Sequence, residues 1–97
     1  MKDIRGLLGL CCRAGQATLG ADLALREIKA GRAGLALIDQ GAAEGTKKKI
    51  LDACAYRSVP AYILPEGEID LSCGKEGRMA AAIQSGEICR AILKRLT

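Results

Sequence analysis

In GRAGLALID, residues 31–39, two glycines precede four consecutive apolar residues, Leu35, Ala36, Leu37 and Ile38, and Asp39 follows them. An apolar run this short, bounded by glycine, reads as a strand buried on both faces rather than as half of an amphipathic element. The segments on either side agree. Upstream, Ala21, Ala24, Leu25 and Ile28 recur at helical spacing. Gly20 opens that helix, Asp22 sits in its first turn where the dipole favours a carboxylate, and Gly31 and Gly34 close it. Before it, residues 16–19 read as a short extended link. Ile4, Leu7, Leu8 and Cys11 form the stripe of a first helix that ends at Gly15.

Downstream, Thr46 is a candidate N-cap for a helix over 47–56, a start a few residues earlier remaining open, with Ile50, Ala53 and Cys54 inward. Val59 and Pro60 break it, and 61–64 reads as a second strand. A short helix over 66–73 ends at Gly74. Residues 79–83 are ambiguous: three alanines prefer helix, but the position between two helical segments favours a third buried strand. Ser85 would cap a last helix with the stripe Ile88, Cys89, Ile92, Leu93 and Leu96, and Lys94 and Arg95 suit its C-terminal end. This alternation predicts an α/β protein, a three-layer α/β/α sandwich around a small mixed sheet, in one domain spanning 1–97.

Composition narrows the function. Of 97 residues, 49% are hydrophobic, yet no apolar run nears the ~18 residues of a membrane helix. The N-terminus, MKDIRGLLGL, lacks a secretory core, so a cytoplasmic protein with no membrane partner is expected. Five cysteines, Cys11, Cys12, Cys54, Cys73 and Cys89, form no C-x-x-C pair, and their odd number argues against a disulfide framework and for a reducing compartment. Cys11, Cys54 and Cys89 fall on apolar stripes and read as buried side chains. Without histidine there is no Cys–His or Ser–His pair, zinc is disfavoured, and no cofactor is expected. Cys73, near a helix end and Lys75, is the best remaining thiol nucleophile, and a weak one.

Other motifs fail on inspection. Gly15 and Gly20 have the spacing of a phosphate loop, but Ala21 and Asp22 stand where lysine and a hydroxyl residue are needed. Asp39, lacking a second acid or a metal ligand, reads as a turn former. The net charge is +4, and residues 1–62 carry all of it, with ten Lys/Arg against six Asp/Glu. Such an excess suits a polyanionic partner. Lys47, Lys48 and Lys49 are the densest basic cluster, although steps of about 100° let roughly two share one surface. Tyr56 and Tyr62 are the only aromatic residues, so an RNA partner would be read by shape, phosphates and base edges rather than on an aromatic platform.

The ordered set R-A-G (13–15), Gly20 before a helix, A-G-x-A-x-L-x-L-I (30–38), G-T-K-K-K-I (45–50), V-P-x-Y (59–62) and G-K-E (74–76) resembles the L-seven-Ae family of kink-turn-binding ribosomal proteins, and most closely its short bacterial, YlxQ-like branch. The resemblance spans essentially the whole chain. It implies an α/β/α sandwich without catalytic activity that binds structured, kink-turn-like RNA, ribosomal RNA included. The family's helix motif G-x-N-E-x-x-K falls on Gly20, Asp22, Leu23 and Arg26, with Asp22 for asparagine, Leu23 for glutamate and Arg26 for lysine. A second RNA-facing loop would start at Leu64 and Pro65, followed by Glu66 and Glu68, which oppose phosphate. Arg13, Gln16, Lys47 and Lys48 complete the expected RNA-binding set. Glycine would let backbone amides approach RNA, and a guanidinium can take a guanine edge. The competing reading is a protein-interaction module on the same fold. Leu23 lies off the inward stripe, where it would suit a protein partner or self-association.

Overall fold

A computed structural model describes residues 4–97; Met1, Lys2 and Asp3, which open the stretch read for a secretory signal, lie outside the described residues. Along the chain run α1 (Arg5–Arg13), β1 (Ala17–Leu19), α2 (Ala21–Lys29), β2 (Ala33–Asp39), α3 (Glu44–Arg57), β3 (Ala61–Leu64), α4 (Glu68–Cys73), β4 (Ala80–Gln84) and α5 (Glu87–Leu96). The sheet order is β1-β4-β2-β3. β4 is antiparallel to both β1 and β2, and β2 is parallel to β3, a pairing that requires the crossover supplied by α3.

Alternation along the strands divides the core. Leu35 and Leu37 of β2 and Ala81 and Ile83 of β4 pack with Leu8 and Cys11 of α1, Ile69 of α4 and Ile92 of α5. Ala36, Ile38, Ala80 and Ala82 point the other way, onto Ala24 and Ile28 of α2 and Ile50 and Cys54 of α3. Helices thus cover both faces, and the expected three-layer α/β/α sandwich with a small mixed sheet is the observed architecture. Residues 80–83 settle as strand because β1 and β2 take up their backbone groups on both edges, and this outweighs the helical preference of alanine. At Gly34 an added Cβ would fall 2.5 Å from Ser85 Oγ and 3.1 Å from Cys89 Sγ. The start of α5 is seated on the β2 backbone there, beside a register shift between Ala33 and Leu35.

Two cap assignments are corrected. α3 begins at Glu44 with Ala43 as its N-cap, so Thr46 lies inside the helix. Gly86, not Ser85, precedes α5, and Ser85 instead lies against Gly34.

Asp39 is the buried carboxylate at the end of β2, 1% exposed. Its Oδ1 accepts the Gly41 amide at 2.7 Å and its Oδ2 the Gly67 amide at 3.0 Å. The first bond is the turn expected from the sequence. The second is long-range and ties the β3–α4 loop to the β2–α3 turn. Replacing Asp39 with alanine should cost about 2 kcal/mol in urea unfolding, since two amides lose a charged acceptor.

Cysteine chemistry departs from expectation. Cys12 and Cys73 form a disulfide joining α1 to α4, with 6.0 Å between Cα atoms and 61 residues of separation. The adjacent cysteines have different roles: Cys11 points into the core and Cys12 toward α4. The cysteine count therefore no longer argues for a reducing compartment, and Cys73 is not a free nucleophile. Reductant should lower stability by about 3 kcal/mol, and Cys12→Ser should match the reduced protein in denaturant titration.

Cys11, Cys54 and Cys89 are free and buried, as expected. Burial pushes the Cys11 thiol from its ordinary 9.0 up to about 11, and neighbouring Cys89 adds to the rise. Burial also raises Cys54 and Cys89. Between these pH values the unfolded thiolate has lost a proton that the folded thiol keeps, so this stability is intact below about pH 9 and is lost as the pH climbs toward 11. Cys11→Ala should flatten the alkaline fall in stability by at most ~1.4 kcal/mol per pH unit.

Candidate nucleic-acid interface

β1 ends where β4 begins, and β2 and β3 end beside them. One end of the sheet therefore gathers Gly20, the turn at 40–43, the loop at 65–67 and the approach to β4 at 75–79. Backbone bonds stitch this end together: Gly20 donates to the Ala80 carbonyl at 2.8 Å, Asp39 to Met79 at 2.8 Å and Gln40 to Leu64 at 2.9 Å.

Gly20 holds φ 104° and ψ 142°, a backbone shape that disfavours any side chain, and the space around its Cα is open. No side chain caps α2. The first-turn amides of Ala21, Asp22 and Leu23 have no intrahelical acceptor, so they face outward with the positive end of the helix dipole. Asp22 and Arg26 are exposed one turn apart and line a shallow depression with Leu25. Leu23 is 48% exposed, as its place off the stripe predicted.

α3 also starts at this end and lies beside α2. Its three lysines diverge. Lys47 is 9% exposed and its ammonium is 3.6 Å from Glu44, so it is corrected from a free RNA contact to a stem packed under the helix. The signal was in the sequence: Lys47 is three residues before Ile50 and seven before Cys54, which places it on the inward stripe. Lys48 is exposed and paired with Asp52 at 3.0 Å. Lys49, named in the basic cluster but not in the expected RNA-binding set, lines a small cleft with Ala21, Asp22 and Leu25 and is the lysine that faces α2.

The β3–α4 loop is reordered as well. Leu64 is 1% exposed and belongs to the core, so Pro65 and Glu66 are what this loop presents. Glu68 turns inward and its Oε1 accepts from Arg5 at 3.0 Å, which removes one of the two charges expected to oppose phosphate. Arg78 was also missed. The Asp70 carboxylate accepts the Gly77 and Arg78 amides at 2.8 and 2.9 Å and fixes an exposed arginine immediately before Met79.

Arg13 and Gln16 are not brought to this surface. They precede β1, whereas Gly20 follows it, and four residues of extended chain separate the two ends by roughly 13 Å. Gln16 lies with Thr18, Glu27, Arg32 and Gln84, and its Oε1 is buried without a hydrogen-bond partner among the described residues.

No family model matches the chain. It is 38% identical over 78 residues to the RNA-binding protein YlxQ of Bacillus subtilis (strain 168), covering 79% of this chain and 78% of the relative. It is 32% identical over 81 residues to the RNA-binding protein YlxQ of Enterococcus faecium, covering 82% and 79%. A solved protein of unknown function from Bacillus halodurans C superposes with a TM-score of 0.91 at 24% identity, over 99% of this chain and 98% of that one. The Giardia lamblia 15.5kD RNA binding protein superposes with a TM-score of 0.75 at 18% identity, over 94% and 82%. At these identities the two structures establish a common fold. The sequence relatives establish more: sharing that fold and 38% identity across 79% of its length, the chain belongs to the family of the RNA-binding protein YlxQ, the short bacterial branch of the L-seven-Ae family.

Proposed function

We propose that this protein is a non-catalytic, cytoplasmic RNA-binding domain spanning 1–97 and that its ligand is a kink-turn-like structured RNA, ribosomal RNA among the candidates. The observation that carries the reading is the uncapped, glycine-opened N-terminus of α2 at the loop-lined end of the sheet. Its outward amides suit a phosphate or a base edge. Arg26, one turn below, can take a guanine edge, Lys48 and Lys49 supply charge from α3, and Pro65 offers apolar surface from the neighbouring loop. The names of the YlxQ relatives and of the Giardia protein support RNA as the ligand class.

Leu23 favours a second reading, a protein-interaction module with weakened RNA recognition, because a half-exposed leucine at this helix end gains by being covered. One comparison separates the two. Binding is measured on a kink-turn and on a matched straight duplex over a salt series. The double change Asp22→Asn, Leu23→Glu should strengthen kink-turn binding about tenfold, by restoring a neutral amide and an acceptor for guanine N–H groups. Arg26→Ala should abolish the preference for the kink-turn, and Lys94→Ala on the opposite layer should not. Lys48→Ala and Lys49→Ala should each reduce the log–log salt slope by somewhat less than about 1. If the double change leaves RNA affinity untouched and abolishes self-association or capture of a protein partner, the interaction-module reading replaces this one.

A further inference from the structure

We infer that the groove between α2 and α3 carries a single RNA strand away from the helix-terminal site, and that Tyr56 at its far end stacks on a base of that strand. The inference rests on the RNA-binding reading and extends it to a surface with a different chemistry.

α2 and α3 run side by side from the loop-lined end of the sheet toward the opposite end. The small cleft beside Ala21 and Asp22 shares Leu25 and Lys49 with a larger groove of about 680 Å³. Lys29, Lys49 and Asp52 stand along this groove, and Tyr56 and Arg57 stand at its far end. Its floor is apolar where Leu25 and Ala53 meet. Its charge is positive, because the carboxylate of Asp52 is already engaged by Lys48, whereas Lys29 and Lys49 make no side-chain ion pair among the described residues. Charge complementarity therefore points to a phosphate backbone.

Tyr56 supplies the second observation. It is 85% exposed, more than any other large hydrophobic side chain among the described residues, Leu71 following at 70%. Arg57 holds its guanidinium 5.9 Å from the Tyr56 ring centroid and donates to the Lys29 carbonyl, which bridges α3 to the end of α2. The ring is thus presented beside a fixed cation at the mouth of a basic groove. Nothing in the fold needs it there, and stacking on a base would cover it. Seven residues of helix from Lys49 to Tyr56 rise about 10 Å, a span for a few unpaired nucleotides.

The test compares a flush-ended kink-turn with the same RNA carrying about six unpaired nucleotides at either end, by fluorescence anisotropy at fixed salt. The tail at one of the two ends should raise affinity about tenfold. Tyr56→Ser and Lys29→Gln should each remove most of that gain, Tyr56→Phe should keep it, and the two Tyr56 variants should leave binding of the flush RNA unchanged. A tail that adds nothing at either end, or a gain that survives Tyr56→Ser, overturns the inference. If the flush kink-turn fails to bind but tailed RNA binds through Tyr56, the kink-turn reading falls and the groove stands. Failure of every RNA removes both.

Discussion

The pairing of β2 with β4 through the middle of the sheet sets the position of every helix. Each strand has a neighbour on both edges, so its backbone groups are satisfied and its side chains are free to alternate between two cores. Leu35 and Leu37 make one face and Ala36 and Ile38 the other. A strand apolar on both faces cannot stand beside water on either, so α1, α4 and α5 must close one side and α2 and α3 the other. The alanines of β4 are part of this arrangement. Ala80 and Ala82 leave room for Ala24 and Ile28 of α2 to approach the sheet.

The same pairing fixes where function can be built. Because β4 is antiparallel to β1 and β2, the end of β1, the ends of β2 and β3 and the start of β4 coincide in space. Segments far apart in sequence meet there, and Asp39 locks two of them by accepting amides from Gly41 and Gly67. The buried carboxylate thereby holds the loop with Pro65 beside the turn that follows β2. The electrostatics follow from the layers. Arg26, Lys29, Lys48, Lys49 and Arg57 all belong to the α2–α3 layer, and α1 on the other layer carries Arg5 and Arg13, so the basic excess of the first two-thirds of the chain is shared between the two layers. On the α2–α3 layer Glu27, Glu44 and Asp52 are each paired with a cation, Arg32, Lys47 and Lys48.

The two sides of the sheet are secured differently. On the α1–α4–α5 side, the Cys12–Cys73 disulfide and the Arg5–Glu68 pair fasten the short helix α4 to α1. A helix of this length has little stability of its own, and its apolar anchor is Ile69. On the α2–α3 side, apolar contact between the longer helices suffices, and Arg57 reaching the Lys29 carbonyl closes their far ends. The open groove left between them is where a polyanion would find both charge and an exposed ring.

What the sequence determined by itself was local. Periodicity and glycine placement located the helices and the central strand β2, because a buried stripe at spacing 3.6 or an apolar run between glycines leaves few alternatives, and so the three-layer sandwich was legible, while the alanine-rich strand β4 stayed ambiguous until its pairing was seen. Gly20, Asp22, Leu23 and Arg26 were legible as one surface because they lie on one helix. What only the tertiary structure decided was everything that depends on distance across the chain. Neighbouring cysteines had different fates because adjacent helical residues point about 100° apart, one to the core and one to α4. Lys49 faced α2 for the same reason, whereas the inward turn of Lys47 was legible in its spacing from Ile50 and Cys54. Glu68 lost its opposing charge to an arginine 63 residues away. Arg13 and Gln16, a few residues before the helix that follows Gly20, ended at the opposite end of the sheet because a short strand intervenes. A sequence specifies which way a side chain points along its own element; the packing of elements decides what it meets.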